Sequence, residues 1–256
     1  MRRSTTSSGV ALAAIALLFV AAAPAAASHR PAPRRLGPIE GRLHVGHGRS
    51  YSSNWSGYAA FGRESEPTTF TQVEGNWVQP EAACTLNGRQ VALAAFWIGL
   101  DGFDNKTVEQ IGTDADCQGK QPVYYAWYEL YPERPFLIPI KAEPGNEFHA
   151  VVTQSSLFIR NESTGEEETV EYEPGSLEFS SAEWIAEKPF SRFTDFGEVQ
   201  FSGASASDGV QTGPISSWDN ESITLAQSSG NHLKKVFATP GELDSSGSEF
   251  TITQTP

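Results

Sequence analysis

The chain has 256 residues and a formal net charge of −13, with 18 Lys and Arg against 31 Asp and Glu. Seven of those 18 basic side chains and one of those 31 acidic ones lie within the first 49 residues, which leaves 11 against 30 and a charge of −19 for residues 50–256. A surface this acidic repels nucleic acid and anionic membranes, so neither is expected as a partner. It favours an acid-adapted secreted protein, because most carboxylates are neutral at low pH.

The amino terminus has the composition of an export signal. Two arginines precede an apolar stretch at 10–23, which is too short for a membrane span, and small residues at 25–28 form a cleavage site. Residues 1–27 are therefore predicted to be a signal peptide of an extracellular protein. Residues 28–49, rich in Pro, Gly and Arg, are interpreted as a basic leader. It is either a propeptide that covers an acidic cleft until low pH or cleavage releases it, or a disordered arm.

The chain contains two cysteines, Cys84 and Cys117. We expect them to form one disulfide, since an exported chain matures in an oxidising compartment. Such a crosslink stabilises a fold by roughly 3–4 kcal/mol. A reactive thiol is the weaker alternative, because no base accompanies either cysteine. The remaining residues, 50–256, have the length of one globular domain.

Residues 50–256 read as short β segments separated by Gly, Pro, Asn and Ser, without a helical period. This pattern favours an all-β fold, namely an antiparallel β-sandwich of two sheets, with a closed barrel as the alternative. The predicted strands are 54–61, 68–79, 91–101, 108–114, 122–131, 136–142, 147–156, 157–162, 168–173, 178–187, 197–206, 214–227, 233–238 and 248–254.

The predicted strand 91–101 separates two kinds of side chain. Trp97 and Asp101 share one face, opposite three large apolar residues. In the next strand, Gln110 and Asp114 share a face in the same way. A sheet face with an indole, an amide and carboxylates is either solvated or the wall of a cleft.

The predicted strands 122–131 and 178–187 continue this pattern. Trp127 and Glu129 lie on one face of the first, and Glu183 lies in the middle of the second among small and apolar neighbours. A carboxylate buried there is costly unless it is paired or functional, so exposure on an edge strand is the alternative. Glu109 is expected to point to the opposite face.

Histidine and cysteine offer this domain little chemistry. His149 and His232 are the only histidines outside the leader, and neither has a metal-binding or catalytic spacing. The motifs His-Glu-x-x-His, Gly-x-Ser-x-Gly and Asp-Thr/Ser-Gly are absent, as is a Gly-rich phosphate loop. Zinc, Ser-triad and nucleotide chemistry lose support, and no metal or cofactor is expected. Catalysis would use carboxylates, amides and aromatics.

Five motifs, in order along the chain, carry a family resemblance. They are Asn-Trp-Ser-Gly-Tyr at 54–58, Trp-Ile-Gly-Leu-Asp-Gly at 97–102, Gln-Ile-Gly-Thr-Asp at 110–114, Ala-Trp-Tyr-Glu at 126–129 with Tyr-Pro at 131–132, and Ala-Glu-Trp-Ile at 182–185 followed by Phe-Thr-Asp-Phe-Gly at 193–197. Together they resemble the glutamic endopeptidases, the eqolisin or G1 peptidase family. The resemblance covers nearly all of residues 50–256.

The resemblance implies a secreted, acid-acting, pepstatin-insensitive endopeptidase that cleaves polypeptides, with a β-sandwich of two seven-stranded sheets; we expect a monomer. It also implies a catalytic dyad of Gln110 and Glu183 on the concave face. The best-known fungal members carry more cysteines, and an aromatic where this chain has Thr113, so disulfide layout and substrate preference can differ. The candidates for lining the cleft or orienting the dyad are Trp97, Asp101, Asp114, Trp127 and Glu129.

Peptide hydrolysis needs an activated water, a donor for the oxyanion and a proton for the departing amine. The Glu183 carboxylate can take a proton from a water that Gln110 also holds. The Gln110 amide can donate to the oxyanion, and protonated Glu183 can protonate the amine. An acid optimum follows if the pKa of Glu183 stays near ~4.

Two other functions fit a sandwich with an aromatic, acidic face. A glycosidase could use Glu183 with Asp114 or Glu129, and a lectin-like module could use the aromatics to stack on sugars. The substitution Gln110→Glu separates the two enzymes. A peptidase that needs an amide donor should lose activity, whereas a two-carboxylate glycosidase should keep it.

Overall fold

The computed structural model of the chain describes residues 30–32, 36–46, 48–63, 65–190, 192–229 and 232–255. The predicted signal peptide at 1–27 lies outside these residues, as does part of the leader. Among the described residues, the one helical element is a 3₁₀ turn, Ile215–Ser217, and all other regular structure is β-strand. In the same residues no helix has the length and apolarity needed to cross a membrane.

The described residues form eighteen strands. The first nine are β1 (Leu43–His44), β2 (Arg49–Ser52), β3 (Trp55–Phe61), β4 (Gln72–Val78), β5 (Val91–Ala92), β6 (Ala95–Leu100), β7 (Val108–Gln118), β8 (Gln121–Tyr131) and β9 (Phe136–Ile138). The other nine are β10 (Glu147–Thr153), β11 (Ser156–Asn161), β12 (Glu167–Glu171), β13 (Ser181–Glu187), β14 (Glu198–Ser207), β15 (Thr212–Pro214), β16 (Asp219–Ser229), β17 (His232–Pro240) and β18 (Phe250–Gln254).

One sheet carries the polar, aromatic-rich face and is named the site sheet. Its strands follow the order β9, β8, β7, β6, β13, β3, β16, each antiparallel to its neighbours. Strand β2 pairs parallel with β16, and β1 pairs with β2. The end of the leader is therefore hydrogen-bonded into the site sheet.

The second sheet packs against the first. Its strands follow the order β12, β11, β10, β4, β14, β18, all antiparallel, and the short β15 also pairs with β14. Strand β17 pairs with both β16 and β18, so it joins the two sheets along one side. The predicted all-β antiparallel sandwich is confirmed.

The main core lies between the two sheets. Phe96, Ile98 and Trp184 of the site sheet are fully buried there in one cluster with Trp77 and Phe148 of the second sheet. The indole N–H of Trp184 crosses this core and donates to the backbone oxygen of Glu74 at 2.8 Å. Burial of such large side chains supplies most of the driving force for folding.

The outer face of the site sheet has a second apolar cluster. Trp55, Trp97, Trp127 and Ile185 are buried in it, and Leu36 of the leader packs against them. The alternation predicted for β6, β8 and β13 is confirmed, because successive residues of each strand belong to the two different clusters.

The structure differs from the predicted strands mainly at their ends. The predicted strand 136–142 ends at Ile138, and the predicted strand 214–227 begins as β16 at Asp219, because the 3₁₀ turn precedes it. Strands β1 and β2 were not predicted. Their few, mostly polar side chains show no period, and backbone bonds to distant β16 hold them in place.

The predicted disulfide between Cys84 and Cys117 is confirmed, with Cα atoms 5.4 Å apart. Cys117 lies near the end of β7, and Cys84 lies in the loop between β4 and β5. The crosslink spans 33 residues of sequence and attaches this loop to the strand that carries Gln110.

Candidate active site

Neighbouring strands of the site sheet align the predicted dyad in one row across the sheet. Glu183 of β13 pairs with Gly99 of β6, and Gly99 pairs with Gln110 of β7. Gln110 in turn pairs with Glu129 of β8. Directly paired residues point to the same face, so Glu183, Gln110 and Glu129 share the outer face. With one strand between them, the backbones of Glu183 and Gln110 are roughly 10 Å apart.

Gly99 stands between the two dyad residues in this row. A Cβ atom at this position would lie 3.1 Å from Cβ of Gln110, 3.1 Å from Cζ3 of the Trp97 indole and 2.9 Å from the backbone oxygen of Glu109. Glycine leaves this position without a side chain, and the space above it, bordered by Glu183, Gln110 and the edge of the Trp97 ring, is named the gap.

Glu183 is completely buried, and β13 lies between β6 and β3 in the middle of the sheet. Edge exposure is therefore excluded. Burial raises the pKa of Glu183 well above its ordinary value, and the carboxylates of Asp101 and Glu109 raise it further. The Ser181 hydroxyl, two residues earlier on the same face, is a hydrogen-bonding neighbour of the Glu183 carboxyl and acts to lower its pKa. The expectation of a pKa near ~4 is wrong for this conformation, in which burial favours the protonated form.

Gln110 is fully buried and is held at its nitrogen by Glu129. Its Nε2 donates to Oε2 of Glu129 at 3.0 Å, and the backbone N–H of Leu36 donates to the same oxygen at 3.1 Å. Oε1 of Gln110 has no hydrogen-bond partner within the described part of the chain. The amide therefore presents an acceptor, and its second N–H, to whatever enters the gap.

Asp101 binds backbone groups instead of lining an open cleft. Its Oδ1 accepts hydrogen bonds from Nδ2 of Asn105 and the backbone N–H of Ser180, each at 2.7 Å, and its Oδ2 accepts from the backbone N–H of Phe179 at 2.8 Å. Asp101 follows the end of β6, with φ of 68° in the left-handed region. Its carboxyl thus fastens the turn after β6 to the segment that leads into β13 and Glu183.

Asp114 and Trp127 form a polar pair further along the same face. Nε1 of Trp127 donates to Oδ1 of Asp114 at 2.6 Å, and the hydroxyl of Tyr125 donates to Oδ2 at 2.8 Å. The same hydroxyl lies 2.9 Å from Oδ2 of Asp116. The carboxyl of Asp114 therefore fixes the orientation of two aromatic rings. Strand alternation places Tyr125 on the same face as Trp127, but Tyr125 was not among the candidate site residues.

Trp97 contacts a second carboxyl that sequence reasoning missed. Its Nε1 donates to Oε2 of Glu187 at 3.0 Å, and Nδ2 of Asn54 donates to Oε1 of Glu187 at 3.3 Å. Burial raises the pKa of Glu187 well above its ordinary value, and the Glu129 carboxylate adds to the shift. Glu187 stands four residues after Glu183 on the same strand. Because side chains alternate faces along a strand, this spacing predicts that Glu187 shares the face of Glu183.

Glu109 points away from this face, as predicted. It is almost completely buried, and burial raises its pKa to about 9, with the Asp101 carboxylate as the second cause. Glu109 is therefore a protonated side chain at neutral pH. It takes no part in the row of Glu183, Gly99 and Gln110.

Part of the leader lies across the outer face of the site sheet. Its residues 36–44 are named the strap. Leu36 is buried against the aromatic cluster, and the backbone oxygen of Gly37 accepts a hydrogen bond from Nε1 of Trp55 at 3.1 Å. The dyad side chains are not exposed to solvent in this conformation.

The predicted site residues fall into three sets. Gln110, Glu183 and Glu129 surround the gap at Gly99, whereas Trp97, Asp114 and Trp127 form the wall beside it and Asp101 lies at its end. Across the described ranges, no three His, Cys, Asp or Glu side chains are grouped as they would be to hold a metal ion. The functional groups at the gap are a carboxyl and an amide, and these suit proton transfer and oxyanion binding.

Three comparisons relate the chain to known proteins. The profile of the peptidase A4 family matches residues 53–247. Aspergillopepsin-2 of Aspergillus niger is 29% identical over 193 residues, which cover 63% of this chain and 67% of that protein. The crystal structure of scytalido-glutamic peptidase with a transition state analog inhibitor has a TM-score of 0.65 at 22% identity, covering 79% of this chain and 98% of that chain. Aspergilloglutamic peptidase from Aspergillus niger has a TM-score of 0.50 at 27% identity, covering 64% and 99% respectively.

Proposed function

The chain belongs to the peptidase A4 family and is a glutamic endopeptidase acting on polypeptides, and from this premise we propose that Gln110 and Glu183 are its catalytic dyad. The observation that supports the dyad most is the strand register, in which Gly99 alone stands between the carboxyl and the amide. The carbohydrate-active alternatives are not favoured by these relatives.

The reaction proceeds through a water in the gap above Gly99. Glu183, as a carboxylate, accepts one hydrogen of this water, and Oε1 of Gln110 accepts the other. The water oxygen attacks the scissile carbonyl carbon, and the π electrons of the carbonyl move to its oxygen. The amide N–H of Gln110 that does not bind Glu129 donates to the resulting oxyanion. Protonated Glu183 then transfers its proton to the amine nitrogen as the C–N bond breaks, and the carboxylate is restored.

A glutamine suits the donor role in acid because its amide is neutral and keeps its hydrogens at any working pH. Loss of one such donor typically costs ~2.7–4 kcal/mol of barrier. Acid action follows once the strap leaves the face. Water then reaches Glu183, which lowers its pKa towards the ordinary range, and the carboxylate forms at a pH where the departing amine is still readily protonated.

The protein is secreted, with residues 1–27 as signal peptide, 28–49 as a propeptide leader and 50–256 as the peptidase domain. The leader's contacts with the outer face of the site sheet support a propeptide over a disordered arm. The enzyme acts as a monomer and needs no cofactor, and its acidic domain does not bind nucleic acid.

Hydrolysis of a denatured protein from pH 2 to 8, with pepstatin present, tests the dyad. We expect the parent enzyme to cleave with an acid optimum, and Glu183→Gln and Gln110→Glu to lose at least about 100-fold in kcat. Glu178→Gln, which changes an exposed glutamate, is the matched control and should behave as the parent. Full activity of either dyad variant would overturn the assignment.

A further inference from the structure

The strap binds the site sheet through its main chain next to the dyad strands. The N–H of Leu36 donates to Oε2 of Glu129 on β8 at 3.1 Å. The N–H of Ile39 donates to the backbone oxygen of Gly102, just beyond the end of β6, at 3.0 Å. An extended polypeptide of any sequence offers these same groups, so the strap uses contacts that a substrate chain can also make.

The two residues between these N–H groups use their carbonyl oxygens. Nε1 of Trp55 donates to the oxygen of Gly37 at 3.1 Å, and Nδ2 of Asn54 donates to the oxygen of Pro38 at 3.0 Å. Four successive residues, 36–39, therefore each have a main-chain group bound by the outer face. Continuous main-chain binding of this kind is how peptidases and other peptide-binding proteins hold chains of varied sequence.

The side chain of Leu36 fills an apolar site in this face. It is 5% exposed and belongs to one cluster with Trp55, Val108 and Trp127. Its own backbone N–H meets the carboxyl that holds Gln110, so this apolar site lies beside the dyad. Walls of indole and aliphatic carbon favour a large aliphatic side chain and oppose a charged one.

We propose that strap residues 36–39 occupy the substrate groove of the peptidase, and that the site filled by Leu36 is the subsite for a large aliphatic side chain of the polypeptide substrate. The inference rests on the proposed function of Gln110 and Glu183. It makes the strap an intramolecular competitor of substrate, and it makes the aliphatic site a determinant of specificity.

Steady-state kinetics of the full chain test the competition. Leu36→Asp and Leu36→Ala are compared with Val45→Ala, which changes an exposed leader side chain outside the cluster. We expect the apparent KM for a denatured protein to fall by about tenfold or more in Leu36→Asp and by less in Leu36→Ala. The value of kcat should not change, because saturating substrate displaces a competitor from the groove. Val45→Ala should keep the parent KM. Intact mass confirms that each protein still carries its leader.

A synthetic peptide with the sequence of residues 30–46 tests the occupancy directly. Added to the Leu36→Asp full chain, it should raise the apparent KM back towards the parent value, and the same peptide with Asp at position 36 should not. Cleavage sites of the Leu36→Asp enzyme in a denatured protein should show enrichment of Leu, Ile and Met at one fixed distance from the scissile bond.

The outcomes that contradict the inference differ from those that contradict the dyad. Hydrolysis with the same KM in all variants, or cleavage without aliphatic enrichment at any position, would overturn the occupied groove or its subsite while leaving the dyad intact. Absence of hydrolysis in the parent and every variant would overturn the proposed function, and the inference with it.

Discussion

Glu129 determines which end of the Gln110 amide faces the gap. A primary amide has a donor end and an acceptor end of nearly equal size, and rotation by half a turn exchanges them. A carboxylate only accepts hydrogen bonds, so Glu129 selects the nitrogen of Gln110 and leaves Oε1 towards the gap. Glu129 is thus a positioning residue that acts through Gln110.

Removal of this carboxyl in Glu129→Ala should lower kcat by about 10–100-fold, since a hydrogen bond to a charged group contributes about 1.5–3 kcal/mol. The apparent KM should not rise, because the strap loses its bond to the same oxygen. Glu129→Gln, which keeps an acceptor oxygen, should recover much of the rate. Initial-rate kinetics separate the two constants, with Glu133→Ala as an exposed control on the same segment. An increased KM at constant kcat would contradict the positioning role.

Gly99 has no side chain, and the substitution Gly99→Ala tests the gap. The added methyl would lie 3.1 Å from Cβ of Gln110, so the two strands must shift. We expect a loss of stability of about 1–3 kcal/mol and, because small displacements of reacting groups are costly, a fall in kcat of about 100-fold. Gly241→Ala is the matched control, since its methyl would meet only the oxygen of Thr251, at 3.4 Å. Parental kcat in a folded Gly99→Ala protein would count against a reactive gap at this position.

Strand β13 carries two of the buried carboxyls of the face, Glu183 and Glu187, and Asp101 fastens the segment that leads into it. Strand β7 carries Gln110 and Asp114, and the disulfide fastens its far end at Cys117. The two strands do not touch each other, because β6 lies between them. Their relative position depends on elements at opposite ends of the sheet.

The disulfide is expected to contribute to stability more than to catalysis. Replacement of Cys84 and Cys117 together by Ala should lower the free energy of unfolding by roughly 3–4 kcal/mol. The value of kcat should stay within a few-fold of the parent, because the crosslink is at the end of β7 remote from Gln110. Urea denaturation with and without a reductant measures the first effect, and reduced parent should match the variant. A loss of kcat without a loss of stability would contradict this division.

The sequence of β6, β8 and β13 predicts which side chains of each strand point to the core. Large apolar residues alternate with polar ones, and only one orientation of each strand buries the apolar residues between the sheets. The position of Trp97 opposite Ile98 follows from this rule alone. The pairing of Arg49 with Ser222 could not be predicted, since 173 residues separate them and neither side chain indicates a partner. The raised pKa of Glu183 also escaped prediction, because it depends on burial that no local pattern of β13 specifies.

Both faces of the site sheet carry buried carboxyls whose pKa is raised by burial. Glu183 and Glu187 lie on the outer face, and Glu109 lies on the other face. A buried carboxyl with a raised pKa keeps its proton in the folded state after the unfolded chain has lost it. The folded state then binds more protons, so the free energy of unfolding falls as pH rises.

Glu109 provides a test of this acid stability away from the strap. Its pKa rises from 4.5 to about 9, so its contribution is fully present below pH 4.5 and is lost as pH rises towards 9. Glu109→Gln cannot ionise, and should reduce the decline in unfolding free energy over this interval by up to ~1.4 kcal/mol per pH unit. Chemical denaturation from pH 4 to 9 measures the slopes. Glu178→Gln should retain the parent slope, and an unchanged slope in Glu109→Gln would refute the assignment.

The strap continues without interruption of the chain into β2, which is hydrogen-bonded to β16. The effective concentration of a ligand tethered in this way is set by the tether, so it does not depend on the volume of the solution. Dilution after export would therefore leave the groove filled, however few enzyme molecules are present. A single cut in the connection between β1 and β2 would turn the same residues into a separate peptide that can diffuse away. In a large volume this peptide would rarely rebind, so activation would be effectively irreversible. If each enzyme molecule cuts its own chain, the rate of activation would not depend on enzyme concentration.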